Sequence, residues 1–175
     1  MSRIDMDVNP VVHVTVDAIG KPGERVFFLQ AISESQTISF LIEKLQIQSL
    51  SVGVAEFFAE LKQDFPDLQP VIAEYLEENM HIQPPVEPLF RVGSLGLGYD
   101  AESDRAIVVV HEILGPDQLI EDVSEIRLWC TRKQLADLGN WGAEVASRGR
   151  ELCPLCGQPM DPAGHLCPKK NGHSH

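Results

Sequence analysis

The chain has 175 residues, 43% hydrophobic and 23% charged, which excludes wholesale disorder and fits one domain of ordinary size with room for a small appendage. Its 26 acidic against 14 basic residues leave a net charge of −12, a balance that repels phosphate backbones and argues against general nucleic-acid binding by the body. No stretch approaches the roughly 18 apolar residues of a membrane span, and the opening residues, with Asp5 and Asp7, lack the apolar run of a signal peptide; a soluble, cytoplasmic protein is expected.

Val12, Val14 and Val16 alternate with His13, Thr15 and Asp17, the pattern of a strand with one buried face. The turn Gly20–Gly23 leads to a second strand over Val26–Ile32, and the turn Ser33–Gln36 to a third over Thr37–Ile42, making a meander. The period then changes: Ile47, Leu50, Val54, Phe57 and Leu61 recur at steps of three and four, one face of a helix bounded by Pro66. The same spacing in Ile72, Tyr75, Leu76 and Met80 predicts a second helical piece over Val71–Met80. Pro84, Pro85 and Pro88 make residues 81–88 an extended connection across the surface.

The second half reads alike. Leu89–Tyr99 is a strand with Leu95, Leu97 and Tyr99 on one face and the small residues Ser94, Gly96 and Gly98 on the other, where a backbone, helix or ligand can approach closely. An acidic turn over Asp100–Asp104 precedes strands at Ala106–Leu114 and Glu125–Thr131. Thr131 and Gln134 have the spacing of a capping box, with Leu135, Leu138 and Val145 on the buried face of the helix that follows; Gly139 and Gly142 weaken that helix. A shift of 88 aligns Lys44 with Arg132, Gln46 with Gln134 and Leu50 with Leu138, and a shift of 80 aligns Arg25 with Arg105. The expected class is α+β with mainly antiparallel pairing: two βββα units, about 11–80 and 89–147, within a body of residues 1–147. An internal duplication about a pseudo-twofold and a chance likeness of two generic units both account for the alignment.

The composition shifts near residue 148. The tail 148–175 carries four bases and two acids, so the first 147 residues hold −14 of the charge. Three of the four cysteines lie in this tail, as Cys153-x-x-Cys156-Gly157 followed by Cys167, whereas Cys130 reads as a buried small hydrophobe. A Cys-x-x-Cys-Gly turn points two thiolates to one side, Cys167 adds a third, and His165 or alternatively His173 completes a tetrahedral shell suited to zinc. A filled shell is structural, and some 28 residues with little core would need metal to fold. A redox role is disfavoured, since Pro154, Pro159 and Pro162 leave no helix start beside Cys153 to activate it.

The stretches PGERVFFLQA (22–31), Glu43-Lys-x-Gln46, PVEPLFRVGSLGLGYD (85–100) and CPLCGQPMDPAGHLCPKKNG (153–172) resemble the bacterial domain-of-unknown-function 3090 family over nearly the whole chain. The resemblance implies no activity. It implies a gene trio whose other products resemble a kinase-like and a histidine-phosphatase-like protein, hence potential protein partners. It also favours His165, through the family's His-x-Cys ending, over His173 as ligand.

Other constellations carry less chemistry. His13, Thr15 and Asp17 read as a solvated outer face. His111 and Glu112 point to opposite faces, and His111 reads as a hydrogen-bonded, buried or half-buried histidine. Asp100, Glu102 and Asp104 open like a calcium loop, but Arg105 stands where glycine is required and His111 where glutamate is. Gly93, Gly96 and Gly98 lack the order and context of a dinucleotide fingerprint. Arg25 and Arg105 read as surface ion-pair formers that could share an anion if the halves bring them together. Three functions compete: a non-enzymatic interaction or regulatory protein with a structural zinc knuckle; a small-ligand binder or enzyme using a groove over Ser94, Gly96 and Gly98; and nucleic-acid binding by the knuckle through Arg148, Arg150, Lys169 and Lys170, which the acidic body opposes.

Overall fold

A computed structural model describes residues 2–149, 153–157, 160, 167 and 168. The order of elements is β1 (Asp5–Val8), β2 (His13–Ile19), β3 (Val26–Ile32), β4 (Thr37–Ile42), α1 (Lys44–Asp64), β5 (Pro88–Asp100), β6 (Arg105–Glu112), β7 (Glu125–Cys130) and α2 (Arg132–Ser147). The class is α+β, and the sheet is mostly antiparallel with parallel pairs at β4–β5 and β1–β7.

The strand order is β1-β7-β6-β5-β4-β3-β2. β1 and β2 stand at opposite ends of it yet are consecutive in the chain, and at the bend between them Val11 N donates to Trp129 O of β7 while Val12 N donates to Ile32 O of β3. Neighbouring residues thus bond to opposite ends of the sheet, which draws it into a closed barrel with no long free edge. The long strand β5 behaves in the same way: its start pairs with β4 and its remainder with β6. The bent strand β1–β2 therefore matches β5, β3 matches β6, β4 matches β7 and α1 matches α2. A step of three around six strand positions is half a turn, the approximate twofold suggested by the sequence.

The two helix starts are built alike. Glu43 N donates to Gln46 Oε1 at 2.8 Å, and Thr131 N to Gln134 Oε1 at 2.8 Å. Each glutamine then reaches across with its amide, Gln46 Nε2 to Val92 O at 3.0 Å and Gln134 Nε2 to Val12 O at 3.1 Å, so each tethers its helix to the bend of the next long strand. α1 and α2 pack on one another where α2 carries Gly139. A Cβ there would lie 2.7 Å from Val54 Cγ1, so the glycine that lowers helix propensity is what lets the helices approach. One core joins both halves through Val16, Leu29, Phe40, Val108, Leu128 and Trp141.

Residues 71–80 are not a helix. They run extended apart from a single 3-10 turn, Glu77–Asn79, with Ile72 and Leu76 80% and 61% exposed, so the helical spacing marks no buried face. The segment is a strap along α2 and over β2. Glu74 N donates to Asp137 Oδ1, Lys133 Nζ donates to Glu74 O, Tyr75 packs edge-on against Trp141, and Arg148 pairs with Glu77. Further on, Thr15 Oγ1 donates to Met80 O at 2.5 Å, Ile82 N to Asp17 Oδ2, and Gln83 N to Gln30 Oε1. The face of His13, Thr15 and Asp17 is therefore not solvated: the strap covers it, and Thr15 is fully buried.

Candidate metal centre

Cys153 and Cys156 flank a tight turn closed by Gly157 N donating to Cys153 O at 2.9 Å. Gly157 has φ +74, a left-handed conformation that glycine adopts without steric cost. Cys167 returns to the same place, so the sulfurs of Cys153, Cys156 and Cys167 all lie within 4.8 Å of one another. Cys153 Sγ and Cys167 Sγ are 3.7 Å apart, far beyond a disulfide bond and close to the roughly 3.8 Å that two thiolates about 2.3 Å from one tetrahedral zinc would show. Burial pushes the Cys153 thiol up, but the Cys156 and Leu155 amides and the neighbouring thiols outweigh it and bring its pKa down to about 6. A cation would meet a ready thiolate there. Cys153 and Cys167 are buried and Cys156 half-buried. His165 and His173 lie outside the described residues.

The fourth cysteine is of another kind. Cys130 is buried in the core, where desolvation raises its thiol pKa to about 12 and leaves it inert.

A second feature is a groove of about 310 Å³ between α1 and β5 bordered by Leu45, Ser49, Gly53, Ser94, Leu95 and Leu97; of the small face expected to form a groove only Ser94 reaches it, and Gly96 and Gly98 do not. At its rim Ser94 Oγ lies 3.3 Å from His111 Nδ1, and His111 Nε2 lies 2.8 Å from Glu125 Oε1. His111, expected to be a hydrogen-bonded, buried or half-buried histidine, is half-buried, and its partners become visible only through the register that aligns it with Ser94 and Glu125. The chain resembles a nucleophile, base and carboxylate, yet Glu125 also accepts from Arg127, which holds Asp5 and Asp7 of β1. This carboxylate belongs to an ion-pair network that fastens β1 to β7 and holds Asp7 below the usual carboxylate range, chiefly through the Arg127 hydrogen bonds.

The remaining candidates are structural. Asp104 closes a charged turn at φ +51, accepting from Tyr99 Oη and Arg132 Nε. Arg25 lies over the Phe27 ring and donates to Val145 O, while Arg105 lines a separate hollow with Asp104 and Arg132, so the two arginines do not share an anion site. Among the described residues no helix is long and apolar enough to cross a membrane.

Residues 7–167 match a family described as proteins of unknown function, DUF3090, and the chain belongs to that family. No curated protein and no solved structure matches the chain.

Proposed function

We propose that this DUF3090 protein is a non-catalytic interaction protein whose tail is organised by one structural zinc ion on Cys153, Cys156, Cys167 and His165. The observation that supports this most is the convergence of three thiol sulfurs within 4.8 Å across a turn of the Cys-x-x-Cys-Gly type. Three soft thiolates and one imidazole suit zinc, fill its four positions, and leave none for water or substrate. The chemistry such an ion supplies is fixation of the chain, and the knuckle so formed is a platform on which a protein partner docks. The kinase-like and histidine-phosphatase-like proteins implied by the family resemblance are the first partners to test. Zinc content and native mass of the chain prepared without chelator should give one zinc per chain. Cys153→Ser and His165→Ala should each lower that occupancy, and His173→Ala should leave it unchanged. A full zinc complement in Cys153→Ser would refute the site.

A second reading, a small-ligand binder or enzyme using the α1–β5 groove, is favoured by the Ser94–His111–Glu125 chain at its rim. It requires that an active-site-directed fluorophosphonate label Ser94 in the wild type and not in His111→Ala.

A further inference from the structure

The approximate twofold gives the molecule two comparable grooves, one between α2 and β2 and one between α1 and β5, and among the described residues the chain fills only the first. In the filled groove the strap lies on Lys133, Asp137 and Trp141 of α2, whose equivalents on α1 are Leu45, Ser49 and Gly53. On the strands it covers His13, Thr15 and Asp17, whose equivalents are Ser94, Gly96 and Gly98. The consequence is visible in the layer beneath. Val14 and Val16, on the core face of β2 where Trp141 Nε1 donates to Val16 O, are 2% and 0% exposed, whereas their equivalents Leu95 and Leu97 are half-buried and open to the groove. Leu45 at the mouth is 75% exposed. None of the described tail residues borders the groove.

We infer that the α1–β5 groove is a docking site for an extended segment of a protein partner, a segment with a bulky apolar residue flanked by a basic one. This deepens the reading of the chain as an interaction protein. The shape follows from the strap, which shows that a groove of this construction takes extended polypeptide. The apolar residue follows from Gly53, which leaves open the space that Trp141 fills opposite and exposes Leu95 and Leu97 at its floor. The charge follows from the far end. There the strap's Glu77 is held by Arg148, beside Glu144, whereas the equivalent positions on α1 are Glu60 and Glu56, both exposed. The groove that this chain fills takes an acidic residue at that point; the open one takes a basic residue.

The test uses two fluorescent peptides and the full-length protein. One peptide has the strap sequence of residues 71–80; the other is the same with Glu77→Lys. Anisotropy titration should show saturable binding of the lysine peptide and markedly weaker binding of the glutamate peptide. Gly53→Trp, whose Cβ would meet Leu97 Cδ1 at an ordinary 3.8 Å and whose ring would occupy the notch, should abolish binding without lowering the melting temperature. Glu60→Lys should reverse the preference between the peptides. The inference is overturned if neither peptide binds, if both bind alike, or if Gly53→Trp has no effect. It is equally overturned if the lysine peptide binds only after residues 150–175 are removed, which would assign the groove to the chain's own tail, or only as a dimer dissociates, which would assign it to a second copy. None of these outcomes alters zinc content, so failure here leaves the metal reading separately decidable.

Discussion

Gly139 shows why a residue that weakens a helix in isolation belongs in this one. Its missing Cβ is the space occupied by Val54 Cγ1 and Cβ, at 2.7 and 2.9 Å, and Val54 is a stiff β-branched side chain that cannot swing aside. Gly139→Ala should therefore destabilise the protein by about 1–3 kcal/mol in urea unfolding, although alanine raises helix propensity. Pairing it with Val54→Ala should recover part of that loss. His13 carries a different expectation. It sits under the strap with Nε2 lacking a hydrogen-bond partner among the described residues, and burial lowers its pKa below 6.5, with the Asn79 backbone and Asp137 opposing. Below pH 6.5 the unfolded chain takes up a proton that the folded chain refuses, so this contribution is complete above 6.5 and is lost as pH falls toward the folded value. The melting temperature of the wild type should fall over that interval more steeply than that of His13→Gln.

The helices were legible at the level of the element because their signals are local. Apolar steps of three and four and a reciprocal cap at Thr131 and Gln134 are set by neighbours in sequence, and both helices form. The same spacing misled at 71–80, where the backbone groups find partners on α2 and β2 instead of within a helix. A periodic pattern is evidence of a helix only when a complementary face exists to bury it, and here only Tyr75, against Trp141, and Met80, at the strap's end, turn inward. β1 escaped notice because it is four residues long and places Asp5 and Asp7 outward. The strap should loosen before the barrel. Thr15→Val removes the 2.5 Å bond to Met80 O and should cost about 1–3 kcal/mol, read as faster amide exchange at Ile82 and Gln83 with β6 and β7 unchanged. Gln134→Ala removes the side-chain half of the capping box and the tether to Val12 O, and should lower global stability by about 1–2 kcal/mol.

At the scale of the whole molecule, one core spans both halves, and among the described residues none beyond Ala146 contributes to it. A chain ending at Gly149 should therefore unfold cooperatively within about 1 kcal/mol of full length, whereas removing residues 2–8 should lower the midpoint by much more, because β1 closes the barrel on β7. Sequence by itself determined the class, the strand-strand-strand-helix plan, the two long helices with the cap of the second, and the cysteine spacing, since each depends on residues close in the chain. The closure of the sheet, the burial of Thr15, the alignment of Ser94 with His111 and Glu125, and the contrast between a filled and an open groove were decided by tertiary structure alone. Each of these depends on which distant segments pair, and pairing is set by the packing of a shared core that no local window of sequence contains.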